Sequence, residues 1–335
     1  EESRVAGQTL AQVGGSEQAP LLIRLLDSER AEVRAVAAYA LLRISRRVPY
    51  HMSWLDWGVI AGYFASMLAI GWYYSRRTTT TDDYLLAGRS VRSLSAGLSL
   101  FASLFSTLSY LAMPGEMIKY GPLMVTGAIA SFPLVGLIVG WFLIPFIMKL
   151  KVTTAYELLE SHLGLGVRML ASVMFLLLRL LWMAALIYAT VGVVLVPLWN
   201  LDRSYIPYLS IFLGLITVIY TAMGGLRAVM LTNVIKAVIL FGMAVLALVV
   251  ITVRLGGVGA WWPTQWPSHW PEPVWGYDPS VRMSFLGIGV AMLVWFVCTS
   301  GSDQMAIQRY LSTQDVRAAR RALVSLLVAD ALVMV

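Results

Sequence analysis

Residues 93–122 read SLSAGLSLFASLFSTLSYLAMPGEMIKYGP. Ser99, Ser103, Ser106, Thr107 and Ser109 crowd the middle of this otherwise apolar stretch, and Pro114-Gly115 should break its outer end. Small hydroxyl residues can be packing glue between helices. They can also mark a discontinuous helix whose freed carbonyls coordinate a cation at the midplane of a membrane. A hard ion wants several oxygens, and carbonyls and hydroxyls provide them without a buried charge. On composition alone, packing is the favoured use. Taken by themselves, Glu116 and Asp303 read as plain loop carboxylates. Asn233 and Lys236 stand one turn apart in an apolar run, where an ionisable residue is a functional candidate. Catalytic sets are missing from the sequence. His51, His162 and His269 are scattered, and the lone Cys298 sits in an apolar run, so neither a triad, a zinc cluster nor an internal disulfide is expected. Gly224-Gly225 reads as a turn, not a phosphate loop. An enzyme is therefore not expected.

The elements that hold these residues follow from composition. The chain has 335 residues, 59% apolar and 13% charged, with a mean hydropathy of +0.75. Soluble domains carry about a quarter charged residues, so this chain cannot coat one large soluble core. Its apolar runs exceed the roughly 18 residues that mark a spanning helix, and its 12 Trp and 15 Tyr suit membrane interfaces. An all-α, polytopic membrane protein is predicted, with spans near 54–74, 94–112, 122–148, 167–197, 205–222, 227–253, 284–302 and 319–335. The net charge of +7 is distributed by side rather than as a nucleic-acid patch. One set of alternate loops holds Arg76, Arg77, Arg89, Arg92, Lys149, Lys151, Arg168, Arg227, Arg309, Arg317, Arg320 and Arg321. The other holds Lys119, Arg203, Arg254 and Arg282. The first set is expected in the cytoplasm of a cell with the protein in its inner membrane. Residues 1–50 then lie outside, in the periplasm for a bacterium. Arg43, Arg46 and Arg47 oppose this weakly. The Trp- and Pro-rich stretch 255–283 reads as an interfacial cap, with gating as the sharper alternative.

Residues 1–50 hold 13 of the 43 charged residues, a soluble composition. Val33, Val36, Ala37, Ala40, Leu41 and Ile44 line one helix face. Val5, Ala6, Leu10 and Val13 repeat Val36, Ala37, Leu41 and Ile44. The layout resembles HEAT repeats, with a single amphipathic hairpin as the alternative. Such units bury their faces only when stacked, so further repeats are expected before residue 1. Repeats offer extended surfaces, so a protein partner is expected for this segment.

Three motifs add a resemblance. TTTTDDYLLAGRSV (78–91), YTAMGGLRAVMLTNVIKAVIL (220–240) and DQMAIQRYLSTQDVRAARRAL (303–323) resemble, in order and spacing, segments of the sodium/solute symporter family, over roughly residues 54–335. SLFSTLSYLAMPGEMIKYG is most similar to the branch that moves monocarboxylates, iodide and vitamins. The resemblance implies a LeuT-like fold: two inverted repeats of five helices with one extra helix in front. Span 94–112 would be the broken first core helix and span 284–302 its interrupted symmetry mate, with Gly287, Gly289, Gly301 and Thr299-Ser300 suiting the interruption. It implies that the backbone carbonyls of Ala102 and Phe105 bind sodium. Ser103, Ser106, Thr107 and Ser109 would face the substrate, and Thr299 would replace an aromatic gate, which disfavours a stacked sugar. Asn233, Lys236 and Asp303 would serve coupling or gating. The family's remaining sodium ligands lie on an eighth core helix, expected beyond residue 335. The family's Asp is Asn233 here, and its Gln is Lys236. Either the Lys236 ammonium stands near or in place of sodium, permitting proton-coupled or uncoupled transport, or it snorkels to water. The resemblance thus implies sodium-coupled symport of a small polar or anionic solute, such as a monocarboxylate, across the bilayer. A solute sensor or scaffold on a transporter-like core is the alternative.

Overall fold

Apolar chain in a bilayer must satisfy its backbone polar groups internally, and a helix does so within one segment. The computed structural model describes residues 53–149, 154–199, 201–261 and 266–334; the HEAT-like reading of residues 1–50 lies outside them. The described chain is almost wholly helical. Helix α1 is Trp54–Ser75, α2 Thr81–Leu86, α3 Ser93–Leu104 and α4 Thr107–Tyr120. Helix α5 is Leu123–Lys149, with a π-turn at Ile138–Leu143. Then come α6 Ala155–Leu163, α7 Leu165–Leu198, α8 Ile206–Arg254, α9 Phe285–Gly301, α10 Gln304–Leu311 and α11 Val316–Met334. Among the described residues α1, α5, α7 and the segment Arg203–Arg254 are long and apolar enough to cross a membrane, and α9 with α10 makes a span bent by 53°.

The segment ending in α8 has 52 residues, about 78 Å at 1.5 Å per residue. That is more than twice the roughly 30 Å hydrocarbon core. Gly225 resolves the excess: at φ 61° and ψ −163° it breaks α8 into two spans. A Cβ at Gly225 would meet the Tyr84 carbonyl oxygen at 2.9 Å, so this position needs glycine for both conformation and space.

The sequence placed other breaks less well. Pro114-Gly115 does not end its helix. Pro114 lies inside α4, which runs on to Tyr120, and the break falls earlier, between α3 and α4. Proline inside a membrane helix is tolerated where the freed carbonyl is re-satisfied nearby. Likewise Gly287 and Gly289 lie inside an unbroken α9, and the bend comes after Gly301, at Ser302-Asp303.

The chain forms two compact units. The first combines Trp54–Tyr63 with residues 187–214, where the rings of Trp57 and Trp199 lie 5.4 Å apart. The second, Phe64–Leu186 with Leu215–Val335, carries the site. Its core joins Leu100 and Phe101 of α3, Val135 and Val139 of α5, Phe296 of α9, Tyr310 of α10, and Leu323 and Leu326 of α11. Helices α3 and α11 run side by side in the same direction. The backbone N–H of Val91 donates to Ser312 O at 3.1 Å, and further on Gly97 abuts α11 so closely that a Cβ would sit 2.5 Å from the Ala322 oxygen. Helix α7 presents no buried residue between Leu165 and Tyr188, as suits a face toward lipid.

Candidate functional site

The three motifs meet in space. Thr80 caps α2, its hydroxyl accepting from Asp83 N at 3.1 Å, and Asp82 and Asp83 occupy the positive end of the helix. Ala87, Gly88 and Arg89 then take three successive left-handed conformations. Arg227, two residues past the α8 break, holds this turn by donating to the Ala87 carbonyl at 3.2 and 3.1 Å and to Asp83 at 3.2 Å. Tyr84 donates to the Ala222 carbonyl at 2.8 Å, and Gln308 of α10 donates to the Leu85 carbonyl at 2.6 Å. Segments 78–91, 220–240 and 303–323 thus form one clasp.

Above the clasp α3 is interrupted. Phe105 leaves the helix at ψ 108°, and Ser106 begins α4 from an extended conformation. The amide that would close the next turn onto the Ala102 carbonyl belongs to Ser106, and Ser109 Oγ accepts it at 3.3 Å. The Ala102 carbonyl is therefore released at the break, next to Phe105. The hydroxyl of Ser106 in turn accepts from Ser109 N at 3.3 Å, a reciprocal capping box. Two of the predicted substrate-facing hydroxyls thus start α4. Thr107 opens that helix, and its side chain lies outside the described ones. Thr299 bonds its hydroxyl back to Trp295 O at 2.8 Å within α9.

Ser103 belongs to a different group. Its hydroxyl donates to Ser99 O at 2.8 Å and accepts from Asn233 Nδ2 at 2.9 Å and from an Arg309 guanidinium nitrogen at 2.8 Å. Ser99 Oγ accepts from the same two residues, at 3.2 Å from Asn233 and 3.0 Å from Arg309 Nε. Arg309 also donates to Met305 O at 2.8 Å. Arg309 is therefore not a loop charge: it is 4% exposed, folded back between α3 and α8 by its place on α10. Among the described residues no carboxylate pairs with it. Every guanidinium partner is a neutral oxygen.

Lys236 stands apart from this network. Its ammonium donates to Tyr220 OH at 3.3 Å and lies over the Tyr220 ring. Asp303 caps α10, accepting from Met305 N at 2.9 Å, and forms an ion pair with Arg179 of α7. Tyr156 of α6 is held above its ordinary phenol pKa, by burial first and by the Asp303 charge second. Sequence reasoning missed Arg179 and Arg309. Arg179 could have been found as a charge in the middle of an apolar run; Arg309 gave no signal, being one of several basic residues between spans.

At the opposite end of α4 the Trp-rich stretch makes contact. Trp270 Nε1 donates to the Ile118 carbonyl at 2.8 Å, His269 Nε2 lies 3.1 Å from the same oxygen, and Arg282 pairs with Glu116 at 2.9 Å. The last carbonyls of a helix lack internal partners, and this stretch provides one. A cleft of about 640 Å³ lined by Arg92, Trp141, Arg320 and Arg321 opens at the start of α3, away from the break.

Comparison with known proteins agrees with this fold. The sequence model of the sodium:solute symporter family matches residues 84–335. The sodium/sialic acid symporter SiaT of Proteus mirabilis is 32% identical over 82% of this chain and 55% of its own length. The rabbit sodium-dependent multivitamin transporter is 29% identical over 80% of this chain and 42% of its own. The human sodium-coupled monocarboxylate transporter 1 is 27% identical over 77% and 42%. A solved structure of a Na+-coupled sialic acid symporter, described as substrate-bound and outward-open, superposes with a TM-score of 0.69 at 26% identity. It covers 84% of this chain and 61% of that one. The chain spans about half the length of the curated relatives it matches.

Proposed function

The chain belongs to the sodium:solute symporter family, and from that premise we propose that the whole protein is a secondary transporter coupling sodium entry to uptake of a small organic anion. The observation that carries this reading is the α3–α4 break. It combines a released Ala102 carbonyl with the start of a capped helix. A released carbonyl suits a cation, and a half-helix N-terminus favours an anionic group. In this reading the carbonyls of Ala102 and Phe105 contribute to a sodium site. Ser103, Ser106, Thr107, Ser109 and Thr299 line the solute path, and Asn233 and Asp303 govern coupling, whereas Lys236, held on Tyr220, does not.

The solute class rests on the relatives, which carry sialic acid or monocarboxylates by name; both bear a carboxylate. Binding of solute and ion closes the path on the side of the Trp-rich stretch, and the core helices rock to open the other side. The clasp faces the cytoplasm, because Arg76, Arg77, Arg89 and Arg92 gather there. In this reading residues 1–50 belong to the other side of the membrane and recruit a protein partner.

The test is uptake by the full-length protein in proteoliposomes. An inward sodium gradient should drive accumulation of labelled sialic acid or a short monocarboxylate, and choline should not. Uptake of either solute at equal rates in sodium and choline would end the coupling proposal.

A further inference from the structure

Asp330 has no place in the scheme above. It lies on α11, one turn from the end of the described residues, and is 3% exposed. Among the described residues it makes no hydrogen bond and no ion pair. The packing of α11 fixes where it sits. Val91 meets Ser312 and Thr313, and Gly97 meets Ala322, so α3 and α11 advance in the same sense. Asp330 is eight residues past Ala322, and Phe105 is eight past Gly97. At about 1.5 Å per residue in both helices, the carboxyl-bearing residue stands level with the end of α3. Leu323, one heptad earlier on the same stripe of α11, packs 3.5 Å from a Cβ placed at Gly140 of α5. Asp330 therefore lies in the interior on the α5-facing side of α11, level with the end of α3.

Charged and titratable groups on the surrounding elements do not neutralise it. Helix α3 carries none between Ser93 and Leu104, and α5 has only Lys149, at its far end. On α10, Arg309 is engaged by Ser99, Ser103 and Met305, and Tyr310 OH has no partner among the described residues. Helix α4 carries Glu116, paired with Arg282, Lys119 over Tyr120, and Tyr110, whose side chain lies outside the described ones. Arg317, Arg320 and Arg321 lie at the opposite end of α11, with Arg320 Nε on the Gly140 carbonyl at 2.8 Å.

A bare carboxylate is too costly to bury in such surroundings without a cation. We infer that Asp330 supplies the negative charge that answers a monovalent cation bound at the α3–α4 break. It thus takes over a task that Asn233, a neutral amide, cannot perform. The inference rests on the symport reading. Its charge balance is simple: one cation enters, and any proton that held the site leaves to water.

Sodium-dependent thermal unfolding of the full-length protein in detergent tests it, with choline holding ionic strength. Asp330→Asn should weaken the sodium midpoint about tenfold or more, the worth of roughly one ionic contact, while stability in choline stays unchanged or rises. Asp330→Glu should retain a midpoint near that of the native protein but alter the order of lithium, sodium and potassium. An Asn variant with an unchanged midpoint overturns the inference and leaves the symport reading standing. So does one that loses equal stability in sodium and choline, which shows a structural role. A native protein without any sodium response overturns both. If the Asn variant fails to fold, the Glu variant decides, and an unaltered midpoint and ion order refute the assignment.

Discussion

A buried guanidinium whose hydrogen bonds, among the described residues, all end on neutral oxygens is an unusual choice, and Arg309 shows what it requires. Its donors end on Ser99 Oγ, Ser103 Oγ and Met305 O, and hydrogen bonds to a charged group contribute roughly 1.5–3 kcal/mol each. Asn233 shares the same two hydroxyls, so α3, α8 and α10 are tied at one point. Asn233→Ala removes one of the two donors to each hydroxyl and is expected to cost about 1–3 kcal/mol, read as a lowered midpoint of unfolding. Asn233→Asp should be better tolerated than Asn233→Ala, because the two hydroxyls can turn to donate and Arg309 stands across them. A larger loss from Asp than from Ala would show that the network cannot accept a charge. Lys236 belongs to another contact, with Tyr220. Lys236→Gln is therefore expected to leave the sodium midpoint within about twofold, a change below 0.5 kcal/mol. The hydroxyl stretch on α3 and α4 stood out because polar groups are costly among apolar ones, but its composition alone favoured packing between helices. The division of labour among those hydroxyls was not legible. Which of them cap α4 and which reach Arg309 depends on a break that no single residue announces.

Elements were easier to read than their interruptions. Apolar runs long enough to cross lipid mark helices whatever surrounds them, and the predicted spans 122–148 and 167–197 correspond closely to Leu123–Lys149 and Leu165–Leu198. Breaks depend on neighbours. Gly225 is a true break because Tyr84 crowds it, whereas Pro114, the stronger helix breaker in isolation, stays inside α4. Gly97→Val tests the closest helix contact in this frame. Its side chain would enter space 2.5 Å from the Ala322 oxygen, so α3 and α11 must separate. A loss of about 1–3 kcal/mol or more is expected from such overpacking, and unfolding at the native temperature would show that the two helices do not touch there. The Trp-rich stretch makes a pH prediction of its own. Ser280 donates to Asp278 through its hydroxyl and its amide at 2.6 and 2.8 Å, and these bonds hold the carboxyl below its usual value. A depressed carboxylate contributes order above its unfolded value and loses it as pH falls through the lower, folded one. Tryptophan emission should therefore stay constant from neutral pH down through the ordinary carboxylate range and shift only below it. Asp278→Ala should abolish that shift.

At the scale of the molecule, ion binding and stability are linked. A ligand that binds only the folded state adds about 2.7 kcal/mol at one hundred times its dissociation constant. In the proposed reading the sodium site joins separate helices, and that energy acts on how those helices are held together. The clasp of Arg227, Tyr84 and Gln308 fixes one end of the bundle without any ion, so sodium should stabilise the other end more. Hydrogen exchange of the full-length protein separates the two. Sodium in place of choline should slow exchange across residues 102–121 and in α11 near Asp330, and leave residues 80–91 and 224–230 nearly unchanged. Arg227→Ala should speed exchange at the clasp in both salts, because the Ala87 carbonyl and Asp83 lose their partner whichever cation is present. Equal protection by sodium at both ends would mean that the ion stabilises the bundle uniformly, and the α3–α4 break would lose its claim to be the binding place.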